Sequence, residues 1–227
     1  MNGVKKHFEE EAREFDPIIL RLIPYYPQMI EALLAAIPFE AQRPINVIDL
    51  GCGTGTIAKR IKEKFPLAKI TCMDFAEGMI AMAKVKMAEY SDIRFQVGDF
   101  RTYAFDQYYD VVVSSLALHH LETDQEKMVF YRKIYDALNP DGVFYNADVI
   151  LAANDHLGQV YIEKWKEFMR RQVPEDEINN KWMLTYHNED HPARLMDQLD
   201  WLNEIGFMEV DILWKYYNFA VYGGRKY

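Results

Sequence analysis

The sequence predicts an α/β fold in which buried strands alternate with amphipathic helices, and three observations carry that expectation. Residues 45–50 are a short apolar, β-branched run, the pattern of a strand buried on both faces. The run passes into glycines at 51, 53 and 55 and then a helical stripe of Ile57, Ala58, Ile61 and Phe65 that stops before Pro66, so strand, tight turn and helix come in succession. Comparable runs recur further on, and Asp49, Asp74 and Asp99 fall at the C-terminal ends of three successive ones. Parallel strands bring such ends to one edge of a sheet, where open α/β folds bind ligands.

In chain order, residues 2–14 read as a polar helix or arm, and the prolines at 17, 24 and 27 interrupt regular structure in the next stretch. Residues 28–37 form a helix with Met29, Ile30, Leu33, Leu34 and Ile37 on one face. After the glycine turn, where Thr54 or Thr56 can cap the helix, strands are predicted over 69–73, 94–97 and 109–114. Thr123 to Glu126 is a capping box for a helix with Tyr131, Ile134, Tyr135 and Leu138 along one side. Asn139-Pro140-Asp141-Gly142 stops that helix and turns into a strand over 143–150. Residues 151–191 exceed what the minimal fold needs, and a connection this long is usually functional; with residues 1–44 it reads as a helical cap over a pocket. A helix over 193–205 with Gly206 as its C-cap, and strands over 207–214 and 217–223, close the chain.

Composition narrows the function. The 227 residues fit a single domain, half of them apolar and 27% charged. A formal charge of −9 opposes binding to a phosphate backbone, so nucleic acid is not expected as a partner. No apolar run reaches the ~18 residues of a membrane span, and the charged first turns lack a signal-peptide core. Cys52 and Cys72, the two cysteines, make no disulfide framework, and a cytoplasmic location is the default expectation.

The chemistry of the turn narrows it further. A dinucleotide fingerprint needs a third glycine at position 56, which is Thr56. The pattern is instead Gly-x-Gly-x-Gly with Asp49 two residues ahead, and an anion there repels a pyrophosphate by several kcal/mol. It suits a ligand with positive charge, and S-adenosylmethionine carries an ammonium and a sulfonium.

Asp-Leu-Gly-Cys-Gly-Thr-Gly, residues 49–55, resembles the first motif of the class I S-adenosylmethionine-dependent methyltransferases, and the post-strand Ser-Ser-Leu-Ala-Leu-His-His-Leu, 114–121, is similar to enzymes of that family acting on small molecules. The resemblance implies a Rossmann-like, seven-stranded, mostly parallel sheet with helices on both faces and a helical cap. It implies a cofactor site of Asp49, Gly51, Cys52, Gly53, Gly55, Asp74, Phe75, Met79, Asp99, Phe100 and Ser115. Asp74 would hold the ribose hydroxyls, Met79 would face the adenosine, and Asp99 and the Phe100 backbone would meet the adenine edge. Tyr25 and Tyr26 either line the methyl site or pack a helix on the sheet. His119 and His120, the paired imidazoles, are candidates for a base or an acceptor-positioning group, against a reading in which one packs and the other is solvated; His187 and His191 lie in the cap. No metal is expected, because adjacent histidines should diverge on a loop. The acceptor is a small molecule, the Asn/Asp-Pro-Pro-aromatic tetrad of nucleic-acid amine methyltransferases is absent after the fourth strand, and a homodimer is left open.

A second resemblance, to carboxy-S-adenosylmethionine synthase, rests on Phe15-Asp16, Pro24-Tyr25-Tyr26, Arg170 after Phe168, and Trp214 with Tyr217-Asn218-Phe219. Arg170 would then hold an added carboxylate, although that family has Gly-Cys-Ser where this chain has Gly51-Cys52-Gly53. A non-catalytic S-adenosylmethionine binder is the remaining alternative.

Overall fold

The computed structural model describes residues 15–227, so the polar helix or arm expected over 2–14 lies outside the described residues. Seven strands form the sheet: β1 Asn46–Leu50, β2 Lys69–Asp74, β3 Ile93–Val97, β4 Tyr109–Ser115, β5 Leu138–Val149, β6 Met208–Tyr216 and β7 Phe219–Arg225. Their order is β3-β2-β1-β4-β5-β7-β6. The first five pair in parallel, while β7 runs antiparallel to β5 and to β6. The order reverses between β1 and β4, and that switch point opens a crevice at the C-terminal ends of the strands.

Eight helices longer than one short turn flank the sheet among the described residues: α1 Phe15–Leu22, α2 Tyr26–Ala35, α3 Thr56–Lys64, α4 Glu77–Lys86, α5 Asp124–Ala137, α6 Asp155–Met169, α7 Met183–Glu189 and α8 Leu195–Ile205. Strand side chains alternate between two cores. Val111 and Val113 of β4 enter one, and Val112 enters the other; Phe219 and Val221 of β7 part from Ala220 and Tyr222 in the same way. Helices α2, α3 and α6 cover the first core through Met29, Leu33, Ile57, Ile61 and Trp165. Helices α5 and α8 cover the second through Tyr131, Ile134 and Leu202. Both faces are therefore dry along the central strands, which is why β1, β2 and β4 read as apolar runs, while the edge strands β3 and β6 stay partly exposed.

Several boundaries differ from expectation for local reasons. Helix α2 starts at Tyr26, since Pro27 in the first turn removes an N–H that has no helical partner there. Neither Thr54 nor Thr56 caps α3: Gly55, at φ 80°, is the N-cap residue, and no side chain caps it. The Asn139–Gly142 stretch does not separate helix from strand, because β5 already pairs at Leu138 with Tyr109, and the register shifts before Val111 meets Val143. The Thr123 capping box and the αL Gly206 are both formed as expected. Cys52 and Cys72 are free and buried. No helix among the described residues is long and apolar enough to cross a membrane.

A Cβ on Gly223 would stand 1.9 Å from the Phe144 carbonyl oxygen, between paired β5 and β7. Gly223→Ala should therefore cost about 3 kcal/mol, read as a fall in thermal midpoint. A midpoint equal to wild type would show that the two strands can part without penalty.

Candidate active site

Strand β1 delivers the chain into the glycine turn at the switch point. Gly51 sits at φ 71°, and a Cβ there would lie 2.3 Å from the Ala117 Cβ. The amides of Gly51 and Cys52 both donate to the Met73 carbonyl, at 2.8 and 2.9 Å, which ties the turn to β2. The Asp74 carboxylate accepts from Gly53 N and from Ala76 N, each at 2.9 Å. One acid thus shapes the turn while facing the crevice.

Asp49 is different in kind. It is 1% exposed, and neither carboxylate oxygen makes a well-formed hydrogen bond among the described residues, the Ala58 amide giving only partial relief. Burial, with the charge of Asp74 added, pushes its pKa up to about 7. An ionised carboxylate so poorly partnered is costly in a protein interior, and a cation placed beside it recovers that cost. The first cavity, about 710 Å³ of empty space including its mouth, is lined by Asp49, Asp74, Tyr26, Met79, Ser115 and His120, among others.

A latch that the sequence did not reveal closes over the turn. Lys86 Nζ at the end of α4 reaches Asp16 Oδ2 at 2.6 Å, Thr56 Oγ1 at 2.7 Å and Thr54 Oγ1 at 2.8 Å. The Thr54 hydroxyl also donates to Asp16 Oδ1 at 2.5 Å. Burial opposes the Asp16 charge, but Lys86 and Thr54 outweigh it and hold the carboxyl below its ordinary range. The two threonines therefore fasten α1 to the turn, which is why they are not available as caps. Phe15 at the start of α1 comes to rest against the cavity.

A second cavity of about 810 Å³, open to solvent, lies between α1, α6, α7 and the sheet. Trp165, Trp182, Tyr186 and Phe219 give it aromatic walls, and His119, His120 and Asp190 make one end polar. Phe15, Leu116 and His120 line both cavities, so the two adjoin. Leu116, at φ 51°, is a strained non-glycine position that turns the chain sharply after β4.

The following 3₁₀ turn, Leu118–His120, brings the imidazoles together, their rings tilted by 52° with centroids 4.2 Å apart. The histidines do not diverge as expected, because the turn keeps both rings on one side. His119 Nδ1 meets Asp148 Oδ1 at 2.5 Å, and its backbone N donates to Asp148 Oδ2 at 3.1 Å. Asn146 and the Val149 amide in turn donate to Asp148. Burial disfavours the imidazolium of His119, but Asp148 and Asp190 overcome it and push its pKa up to about 10. His120 moves the other way, to about 4, through burial and the neighbouring His119 charge. Its Nδ1 lies 3.1 Å from the Glu189 carbonyl oxygen, which can only accept; the proton sits on Nδ1 and the lone pair on Nε2.

Of the residues singled out in the sequence, Tyr26, Asp49, Gly51, Cys52, Gly53, Asp74, Phe75, Met79, Phe100, Ser115 and His120 line the first cavity, and His119 and His120 line the second. Four do not fit so simply. Tyr25 takes the αL conformation with its ring 4.8 Å from that of Tyr216, away from both cavities. Gly55 packs 3.1 Å from Ala83 at its would-be Cβ, serving the α3–α4 contact. The Asp99 carboxylate is taken up by Arg101, with Nη2 at 2.6 Å and Nε at 2.9 Å. Arg170 lies at the surface between Glu163 and Glu175, both at 2.6 Å.

Comparison with known proteins agrees with this geometry. Residues 47–142 match the model of a methyltransferase domain. The carboxy-S-adenosyl-L-methionine synthase of Nautilia profundicola is 25% identical over 224 residues, covering 96% of this chain and 94% of the relative. The malonyl-[acyl-carrier protein] O-methyltransferase of Bacillus cytotoxicus is 36% identical over 99 residues, 44% of this chain and 33% of that protein. The solved complex of DhpI with SAH superposes with a TM-score of 0.66 at 19% identity, over 98% of this chain and 94% of that one. With the anion-guarded glycine turn at the switch point of a seven-stranded sheet, these matches show a methyltransferase domain over residues 47–142 on a chain similar along its length to S-adenosylmethionine-using enzymes.

Proposed function

We propose that the protein is a cytoplasmic single-domain enzyme that transfers a methyl group from S-adenosylmethionine to a small molecule held under the cap of residues 151–191. The observation that carries this reading is the meeting of the two cavities at His120. Bound in the first cavity, S-adenosylmethionine would supply a methyl group on a cationic sulfonium, with the neutral thioether S-adenosylhomocysteine as the leaving group. The poorly partnered Asp49 carboxylate and the side-chain-free edge at Gly51 fit such a cofactor.

The chain's own contribution is placement and dryness. Asp74 holds the turn in shape, and the Lys86–Asp16 latch keeps α1 across the mouth. Trp165, Trp182 and Tyr186 hold the apolar body of the acceptor and exclude water. His120 presents a neutral imidazole where the acceptor's nucleophilic atom must arrive. Purified protein given S-adenosylmethionine and the small-molecule fraction of a cell extract should generate S-adenosylhomocysteine. Saturable binding of S-adenosylmethionine with no product from any fraction would make the chain a non-catalytic binder instead.

A second reading, a carboxy-S-adenosyl-L-methionine synthase, is favoured by relatives that align over nearly the whole chain. Against it, no lysine or arginine lines either cavity among the described residues, and Arg170 is spent on surface carboxylates. A nucleoside product heavier than S-adenosylmethionine by the mass of CO2, a carboxyl group having replaced one hydrogen, would establish this second reading in place of the first.

A further inference from the structure

We propose that His119, His120 and Asp190 form a binding site for a first-row divalent metal ion in the wall of the acceptor cavity. A ring nitrogen of each histidine and a carboxylate oxygen of Asp190 lie within 4.8 Å of one another. Both histidines are buried, and Asp190 is brought to them by the end of α7.

The spacing fits ligands that share one ion. His119 Nε2 and Asp190 Oδ1 stand 3.4 Å apart, long for a hydrogen bond between such groups. Two donors on one metal, with bonds of about 2.0–2.2 Å, are separated by roughly 3.3–3.6 Å in a tetrahedral site.

The surroundings point the same way. Metal-binding imidazoles usually give their other nitrogen to a carboxylate or a carbonyl, which fixes the tautomer and aims the lone pair. Asp148 does this for His119 Nδ1 at 2.5 Å, while His120 Nδ1 stands 3.1 Å from the Glu189 carbonyl and 3.7 Å from Asp190 Oδ1. Asp148 is itself anchored by the Val149 amide and Asn146, so the orienting carboxylate is rigid.

Three protein ligands with further positions open are the pattern of a catalytic metal rather than a structural one. All three residues line the acceptor cavity, so the open positions face the acceptor. Two imidazoles and one carboxylate suit manganese, iron, cobalt, nickel or zinc better than magnesium or calcium. A hydroxyl or similar donor of the acceptor bound there would lose its proton more readily. The inference rests on the acceptor-cavity reading above and deepens it by giving the means of activation: with the ion bound, His120 serves the reaction as its ligand rather than as a free base.

The test is calorimetric titration of EDTA-dialysed protein with Zn²⁺, Mn²⁺ and Co²⁺, with the visible spectrum of the cobalt form as a second readout. One equivalent should bind, with imidazole-type cobalt absorption. Asp190→Asn, at a partly exposed position, should weaken binding at least tenfold, and Asp148→Asn about 10–100-fold through loss of ligand orientation. S-adenosylmethionine binding and the thermal midpoint are followed in the same samples, so an unfolded variant is recognised. No stoichiometric binding to wild type, or binding indifferent to Asp190→Asn and Asp148→Asn, overturns the site. Turnover of the EDTA-dialysed enzyme at the undialysed rate removes the metal from the reaction while leaving the methyl-transfer reading intact. Metal binding in a protein that never forms S-adenosylhomocysteine has the opposite consequence.

Discussion

Replacing His120 by alanine should lower kcat by about 10²-fold or more while leaving S-adenosylmethionine binding in place. His120 is the titratable side chain shared by the two cavities, and burial beside the His119 charge keeps it neutral at pH 7. His119→Ala is the informative contrast. His119 is buried between Asp148 at 2.5 Å and Asp190 at 3.4 Å, and removing it strands two carboxylates. That loss should read as about 3–5 kcal/mol of stability. Adjacent residues of the same type should therefore fail in different assays. A His120→Ala enzyme with wild-type kcat would remove the residue from the reaction.

Asp49→Asn should weaken S-adenosylmethionine binding by about 10–100-fold, the size of one lost charge-assisted interaction, and yet raise the thermal midpoint of the ligand-free protein. Both effects have one cause: burial and the Asp74 charge raise the Asp49 pKa from 3.8 to about 7. The folded state prefers the protonated form, so ligand-free stability should fall as pH rises from about 4 through 7 and level off above that. A cationic ligand prefers the ionised form, so affinity should rise with pH through about 7. The asparagine variant should lose both slopes. A wild-type affinity that is flat between pH 6 and 8, measured by calorimetry, would mean that Asp49 does not face the cation.

How much of the fold and site was legible in the sequence depended on how local each signal was. The strands and the glycine turn were readable because a strand dry on both faces must be apolar throughout, and residues 45–55 state strand, acid and turn consecutively. The two faces could be assigned only from alternation such as Val111, Val112 and Val113. Thr54 and Thr56 misled because capping is the common local use of such residues, whereas here Lys86, thirty residues on, claims both hydroxyls. Asp148 and Asp190 escaped notice for the same reason. They come from the end of β5 and the end of α7, and nothing in the neighbouring sequence says that both converge on His119. Tyr25 and Tyr26 looked equivalent as a pair; αL geometry at Tyr25 turns one ring out to Tyr216 and leaves the other in the cavity.

The most direct measurement is a pair of calorimetric titrations of the purified protein, one with S-adenosylmethionine and one with NAD. A crevice guarded by the buried Asp49 should take up the sulfonium compound saturably and give no heat with the diphosphate. NAD bound at the Gly51–Gly55 turn, with S-adenosylmethionine excluded, would contradict the electrostatic basis of the site.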